Sequence, residues 1–147
     1  MLVDTNLLVR ALQPHHPHYA VADGAIAALR SQNKVLYLMP QNLVELWTVA
    51  TRPIEANGLA MSTTAAHAEI ERLERLFTVP PETPAIYSVW KRLVVEFRVT
   101  GKPAHDARLV AAMQVHGIAA ILTFDKTGFL RYRGIEVVHP AEVAPAL

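Results

Sequence analysis

Leu2-Val3-Asp4-Thr5-Asn6 opens the chain, an apolar pair running straight into Asp-Thr-Asn. Ile121-Leu122-Thr123-Phe124-Asp125 repeats the arrangement near the other end, an apolar run that again meets an acid. An acid where a strand stops does little for folding and is well placed to hold a divalent metal. Hard cations such as Mg²⁺ take oxygen ligands, usually one or two carboxylates together with waters and substrate phosphates. In open α/β sheets such sites form outside the carboxyl ends of the strands. Two more acids, Glu45 and Asp106, lie near the starts of predicted helices.

Between these two runs, strand and helix signals alternate. Residues 1–5 read as a short buried strand, followed by a short helix to about Gln13 and a loop marked by Pro14 and Pro17. His18 to about Ser31 is Ala-rich and helical, and Val35–Met39 has the length and composition of a strand. A helix from near Gln41 is stopped by Pro53, and Asn57-Gly58 is a turn. Ser62 is a good N-cap for a helix to about Leu76; Phe77-Thr78-Val79 reads as a short strand. Thr83 caps a helix with Ile86, Val89, Trp90, Leu93, Val94 and Phe97 on one face. The next helix spans 105–116 and ends at Gly117, and strands follow at 119–124 and 135–139. Alternating strands and helices imply βαβ units: an α/β fold with a mostly parallel central sheet between helical layers.

Length bounds this to one domain with one core, residues 1–147. Apolar residues make up 52% and charged residues 18%, so a globular chain with some apolar surface left for a partner is expected. No apolar run approaches the roughly 20 residues a membrane span needs. The first residues already read as strand, so no signal peptide is expected. With no cysteine there is no disulfide framework and no thiolate metal site, which fits a reducing, cytoplasmic setting. The net charge of +1 gives little overall pull on nucleic acid. Lys91, Arg92, Arg98, Lys102, Arg108, Lys126, Arg131 and Arg133 do cluster in the C-terminal part. They read either as solvated helix faces or as a basic rim for a phosphate backbone, with Lys102, Arg108 and Lys126 the candidate nucleic-acid contacts.

Asp106 is the most telling acid. It lies three and four residues before Leu109 and Val110, on the same helix face as the core stripe, so it points inward. The plain alternative is a first-turn carboxylate favoured by the helix dipole. Glu45, beside Leu46, reads by itself as a boundary residue in a salt bridge. Asp125 alone reads as a turn opener. Asn6 and Thr123 either support carboxylates by hydrogen bonds or cap turns.

These pieces together resemble the PIN-domain family, most closely its VapC-type toxin ribonucleases. The resemblance rests on Asp4-Thr5-Asn6, on Glu45 in Gln41-Asn42-Leu43-Val44-Glu45-Leu46, on Asp106 in His105-Asp106-Ala107-Arg108-Leu109-Val110-Ala111-Ala112, and on Thr123-Phe124-Asp125. The loop His15-His16-Pro17-His18 before an Ala-rich helix is similar as well. The match spans nearly the whole chain, in order. It implies a three-layer α/β/α fold in which the strands before Asp4 and Asp125 are neighbours. It implies a metal site of Asp4, Glu45, Asp106 and Asp125, with Asn6 and Thr123 behind them. The implied activity is cleavage of RNA with Mg²⁺, or Mn²⁺ in its place, by metal-activated water; one or two metals fit that chemistry. The implied partners are an antitoxin protein and a second copy of the chain, joined through helices 62–77 and 84–99.

Two rivals remain at this point. Asp125-Lys126-Thr127-Gly128 copies an aspartyl-phosphate motif, but Phe129 stands where that motif needs threonine, and only 19 residues follow Gly128. Beryllofluoride trapping separates such a phosphatase or phosphotransferase from a nuclease. A catalytically silent RNA- or protein-binding module is the other rival, and a metal titration separates it. The histidine loop is read as hydrated surface, since Pro17 breaks ligand spacing.

Overall fold

Leu2 and Val3 lean to opposite faces of one sheet, and the layering follows from that alternation. The computed structural model describes residues 1–145. Strand β1 (Leu2–Val3) lies parallel to β2 (Ala120–Leu122), with Leu2 opposite Ile121 and Val3 opposite Leu122. Strand β3 (Glu136–Val138) continues the sheet beyond β2, again parallel. On the other side of β1 the sheet extends by single parallel bridges, Leu2 to Tyr37 and Tyr37 to Thr78. The helices are α1 (Thr5–Ala11), α2 (Tyr19–Ser31), α3 (Pro40–Thr51), α4 (Thr63–Leu76), α5 (Pro84–Glu96) and α6 (Pro103–His116).

Successive strand residues face opposite ways. Leu2 and Ile121 therefore join Ile86 and Leu93 of α5 and Leu109, Val110 and Met113 of α6. Val3, Leu122 and Val138 join Leu7 of α1, Leu29 of α2, Leu43 and Leu46 of α3 and Leu73 of α4. The result is the expected α/β/α arrangement, with β1 and β2 adjacent. The loops after β1 and β2 leave the same edge, which brings Asp4 and Asp125 together.

The strands are shorter than the sequence predicts. Residues 35–39 and 77–79 each contribute a single bridging residue, Tyr37 and Thr78. The reason lies at Met39: its N–H donates to the Asn42 side chain at 2.8 Å, and Pro40 starts α3 at once. Proline opens α3, α5 and α6 at the first helical positions, where no N–H is needed. That moves the starts expected near Gln41 and His105 earlier. Ser62 caps α4 as expected, accepting from the Ala65 N–H at 3.1 Å. Thr83 does not cap α5: its hydroxyl is buried without a partner among the described residues. Gly117 ends α6 in the left-handed region, φ 67°.

Trp90 and Phe97 of α5 pack against this chain's own core. The Trp90 indole donates to the Ala104 carbonyl at 2.9 Å and anchors the start of α6. The Phe97 ring packs on Tyr132 at 5.1 Å. The apolar side chains that α5 leaves exposed are Tyr87 and Val95.

Candidate metal centre at the sheet edge

Asp4 occupies the N-cap position of α1, yet its side chain makes no cap hydrogen bond there. The carboxylate turns to Thr123, whose hydroxyl donates to Asp4 Oδ2 at 2.7 Å. A threonine hydroxyl has one proton to give and two lone pairs. Thr123 gives its proton to Asp4 and accepts from the Asn6 amide at 3.2 Å and from the Asp125 N–H at 3.0 Å. Asn6 also accepts from the Phe124 N–H at 3.4 Å. Thr123 is fully buried, so this hydroxyl locks the ends of β1 and β2 to each other and aims Asp4.

Glu45 is fixed from α1 and from its own helix. Buried Asn42 donates to the Thr5 hydroxyl at 3.1 Å, and Thr5 donates to Glu45 Oε2 at 2.6 Å. Gln41 donates to Glu45 Oε1 at 2.9 Å and to the His105 carbonyl at 2.9 Å, tying α3 to the start of α6. Sequence reasoning missed Thr5, Gln41 and Asn42. All three stand beside residues that were singled out, but their roles depend on the packing of α1, α3 and α6.

Glu45, Asp106 and Asp125 line one cavity of about 670 Å³, together with Lys102 and His105. Asp125 is exposed and accepts from the Thr127 hydroxyl at 2.6 Å. Asp106 differs from the other three acids: its carboxylate accepts no hydrogen bond among the described residues. Its neighbours are other negative charges. Burial, then Asp4, Glu45 and Asp125 in that order, push its pKa up to about 7, against a smaller pull from Arg131. Burial also pushes Asp4 up to about 6, opposed by its hydrogen bonds and aided by Glu45 and Asp125. Asp106 senses Asp4, Glu45 and Asp125, and Asp4 senses Glu45 and Asp125, so the four carboxylates lie within electrostatic reach of one neighbourhood.

Among the described residues, no three His, Cys, Asp or Glu side chains are drawn into a ready-made metal cage. The donor chemistry nonetheless fits a hard, hydrated divalent cation. Mg²⁺ keeps several waters and needs only one or two protein carboxylates. The site offers several carboxylate oxygens, and Asp106 has only the weaker pull of Arg131 against three like charges. Glu45, Asp106 and Asp125 face the cavity, and Asp4 stands at the adjoining end of β1.

The three candidate RNA contacts divide. Lys102 lines the cavity. Arg108 is paired with Glu82 at 2.7 Å and bonded to Gln41 at 3.1 Å. Lys126 is paired with Glu142 at 2.8 Å. The histidine loop also has a place: the His18 ring packs on Phe124 at 5.0 Å, and Phe124 packs on His139 at 5.5 Å.

An α/β/α sandwich with four acids at the carboxyl edge of its parallel strands defines a class, and the PIN-domain family model matches residues 1–135. The chain belongs to the PIN-domain family. It is similar to Ribonuclease VapC48 of Mycobacterium tuberculosis, 26% identical over 145 residues that cover 93% of this chain and 94% of that protein. Among solved structures it resembles VapBC2 from Rickettsia felis bound to a promoter DNA fragment, with TM-score 0.70, 13% identity and 94% and 96% of the two chains covered. It also resembles VapC20 of Mycobacterium tuberculosis, a sarcin-ricin loop cleaving toxin, with TM-score 0.61, 22% identity and 86% and 91% covered. No helix among the described residues is long and apolar enough to cross a membrane.

Proposed function

We propose that this protein is a cytoplasmic endoribonuclease that requires Mg²⁺, with Mn²⁺ as a substitute, and serves as the toxin of a toxin–antitoxin pair. The observation that carries the reading is Asp106, an inward-facing acid whose carboxylate accepts no hydrogen bond among the described residues and whose charged surroundings are mainly three other carboxylates. That cluster is costly to folding and useful to a cation. When bound, the cation supplies charge neutralisation for a phosphodiester and activation of water. The chain itself supplies the rest. Thr123 holds the Asp4 carboxylate, Thr5 and Gln41 hold Glu45, and Lys102 stands at the cavity wall where a phosphate enters. None of these side chains needs to act as a nucleophile.

The purified protein is expected to cleave single-stranded or structured RNA with Mg²⁺ or Mn²⁺ and to stop on addition of EDTA. Cleavage that continues in EDTA with undiminished rate would overturn the metal requirement.

An antitoxin is favoured by a second feature. An apolar groove of about 380 Å³ between α3 and α4, lined by Pro40, Leu43, Val44, Trp47 and Ile70, shares Val44 and Thr48 with the acidic cavity. Val44 is 67% exposed. A helix seated there reaches the catalytic acids directly. A solved structure of similar fold is a toxin–antitoxin complex from Klebsiella pneumoniae, which favours that occupant. The homodimer forms through α5, whose Tyr87 and Val95 are exposed. Light scattering at micromolar concentration is expected to give twice the chain mass of 16.2 kDa, and a monomer would refute it.

A further inference from the structure

Gly128 ends the short 3₁₀ turn Lys126–Gly128 that follows Asp125. The glycines with positive φ among the described residues are Gly101, Gly117 and Gly134, so the Gly128 backbone does not itself demand glycine. An ordinary φ in a helical turn favours alanine over glycine. What excludes a side chain here is space. A Cβ on Gly128 would meet Asp106 Oδ2 at 3.1 Å and Asp125 Oδ2 at 3.6 Å, and its third neighbour would be the Asp125 carboxyl carbon. All three nearest atoms belong to two carboxylates, from α6 and from the end of β2.

The Asp106 carboxylate accepts no hydrogen bond among the described residues and can turn on its Cβ, whereas its backbone and the Asp125 side chain are held. Asp106 is carried on a helix whose Ala107, Leu109 and Val110 are buried, so its backbone is fixed. Asp125 is held on its other oxygen by Thr127. The first contact is tighter than ordinary van der Waals packing, so a methyl group here must turn the Asp106 carboxylate aside. It must also occupy space between the two acids that a hydrated cation needs, since such an ion carries its waters with it.

We propose that Gly128 is a positioning residue: its missing side chain keeps open the gap between Asp106 and Asp125 in which the divalent cation and its waters sit. This rests on the metal-dependent reading of the site above. Outer residues that orient metal-holding groups typically change affinity by about 10–100-fold when altered. Gly128→Ala is therefore expected to weaken Mn²⁺ binding about tenfold or more in calorimetric titration. The metal-free melting temperature should stay level or rise, because alanine suits the turn.

Two further variants sharpen the test. Gly24→Ala places its Cβ 3.5 Å from Pro145 Cδ, an ordinary contact away from the acids, and should bind Mn²⁺ as wild type does. In an Asp106→Asn background, Gly128→Ala should weaken Mn²⁺ binding by less than it does in the wild type, since the two act through one group. Wild-type Mn²⁺ affinity in Gly128→Ala would overturn the proposal. So would a fall in its metal-free melting temperature, which would assign Gly128 to folding, or an undiminished effect in the Asp106→Asn background. Failure of the wild type to bind Mn²⁺ at all would instead sink the metal reading itself.

Discussion

Asp4→Asn and Asp106→Asn are each expected to slow RNA cleavage by about a hundredfold or more, equivalent to roughly 2.7 kcal/mol of barrier, while leaving the chain folded. On the proposed function these two carboxylates hold the cation. Asp4 is 8% exposed and aimed by a 2.7 Å hydrogen bond from Thr123. Asp106 faces inward from the first turn of α6. Asparagine keeps the shape and an acceptor oxygen in each place, so the hydrogen bond from Thr123 survives, but the negative charge is lost. Asp125→Asn should cost less, because Asp125 is exposed and one of its oxygens is already engaged by Thr127. Single-turnover cleavage of a labelled RNA at saturating Mg²⁺, with circular dichroism as the folding control, measures the effect. A near wild-type rate for either Asp4→Asn or Asp106→Asn would remove that residue from the metal centre.

Much of this architecture is legible in residue types whose signals are local. Ser62 and Gly117 mark helix ends because capping depends on the adjacent backbone, and the stripe of Ile86 and Leu93 marks a buried face because helical periodicity is local too. The inward phase of Asp106 is legible for the same reason, being set by Leu109 and Val110 a turn away. The four acids together were legible only as a resemblance, since nothing local distinguishes Glu45 from a salt-bridge residue. What stayed hidden is non-local. Thr5 donates to a glutamate 40 residues further along, and Thr123 to an aspartate 119 residues earlier. Trp90 and Phe97 look like surface for a partner until α6 is packed against α5. Gly128 looks like part of a misleading motif until Asp106 arrives beside it. Strand lengths were overread because an apolar run such as 35–39 reads as strand throughout, whereas only Tyr37 bridges.

The clustered acids also predict how stability varies with pH when no metal is present. The folded-state pKa values, about 7 for Asp106 and about 6 for Asp4, both lie above the ordinary 3.8. The native state therefore holds more protons than the unfolded chain between about pH 4 and pH 7, and stability must fall as pH rises through that window. Below it both states are protonated and the contribution is complete; above it the contribution is lost. Asp106→Asn removes a charge that burial first, and then three neighbouring carboxylates, disfavour, so at pH 8 the metal-free variant is expected to be more stable than wild type by about 1–2 kcal/mol. This is well below a full conversion of the shift, because Asp106 is only partly buried and solvent screens it. At about pH 3, below the ordinary carboxylate value, both states are protonated and the two proteins should melt nearly together. Mg²⁺ should raise the wild-type melting temperature by mass action and do less for the variant. If Asp106 merely favours the start of α6 through the helix dipole, its loss costs stability at pH 8 and leaves the Mg²⁺ shift intact. Thermal melts of both proteins at the two pH values, with and without Mg²⁺, separate a charge held in place for a cation from a charge held in place for a helix.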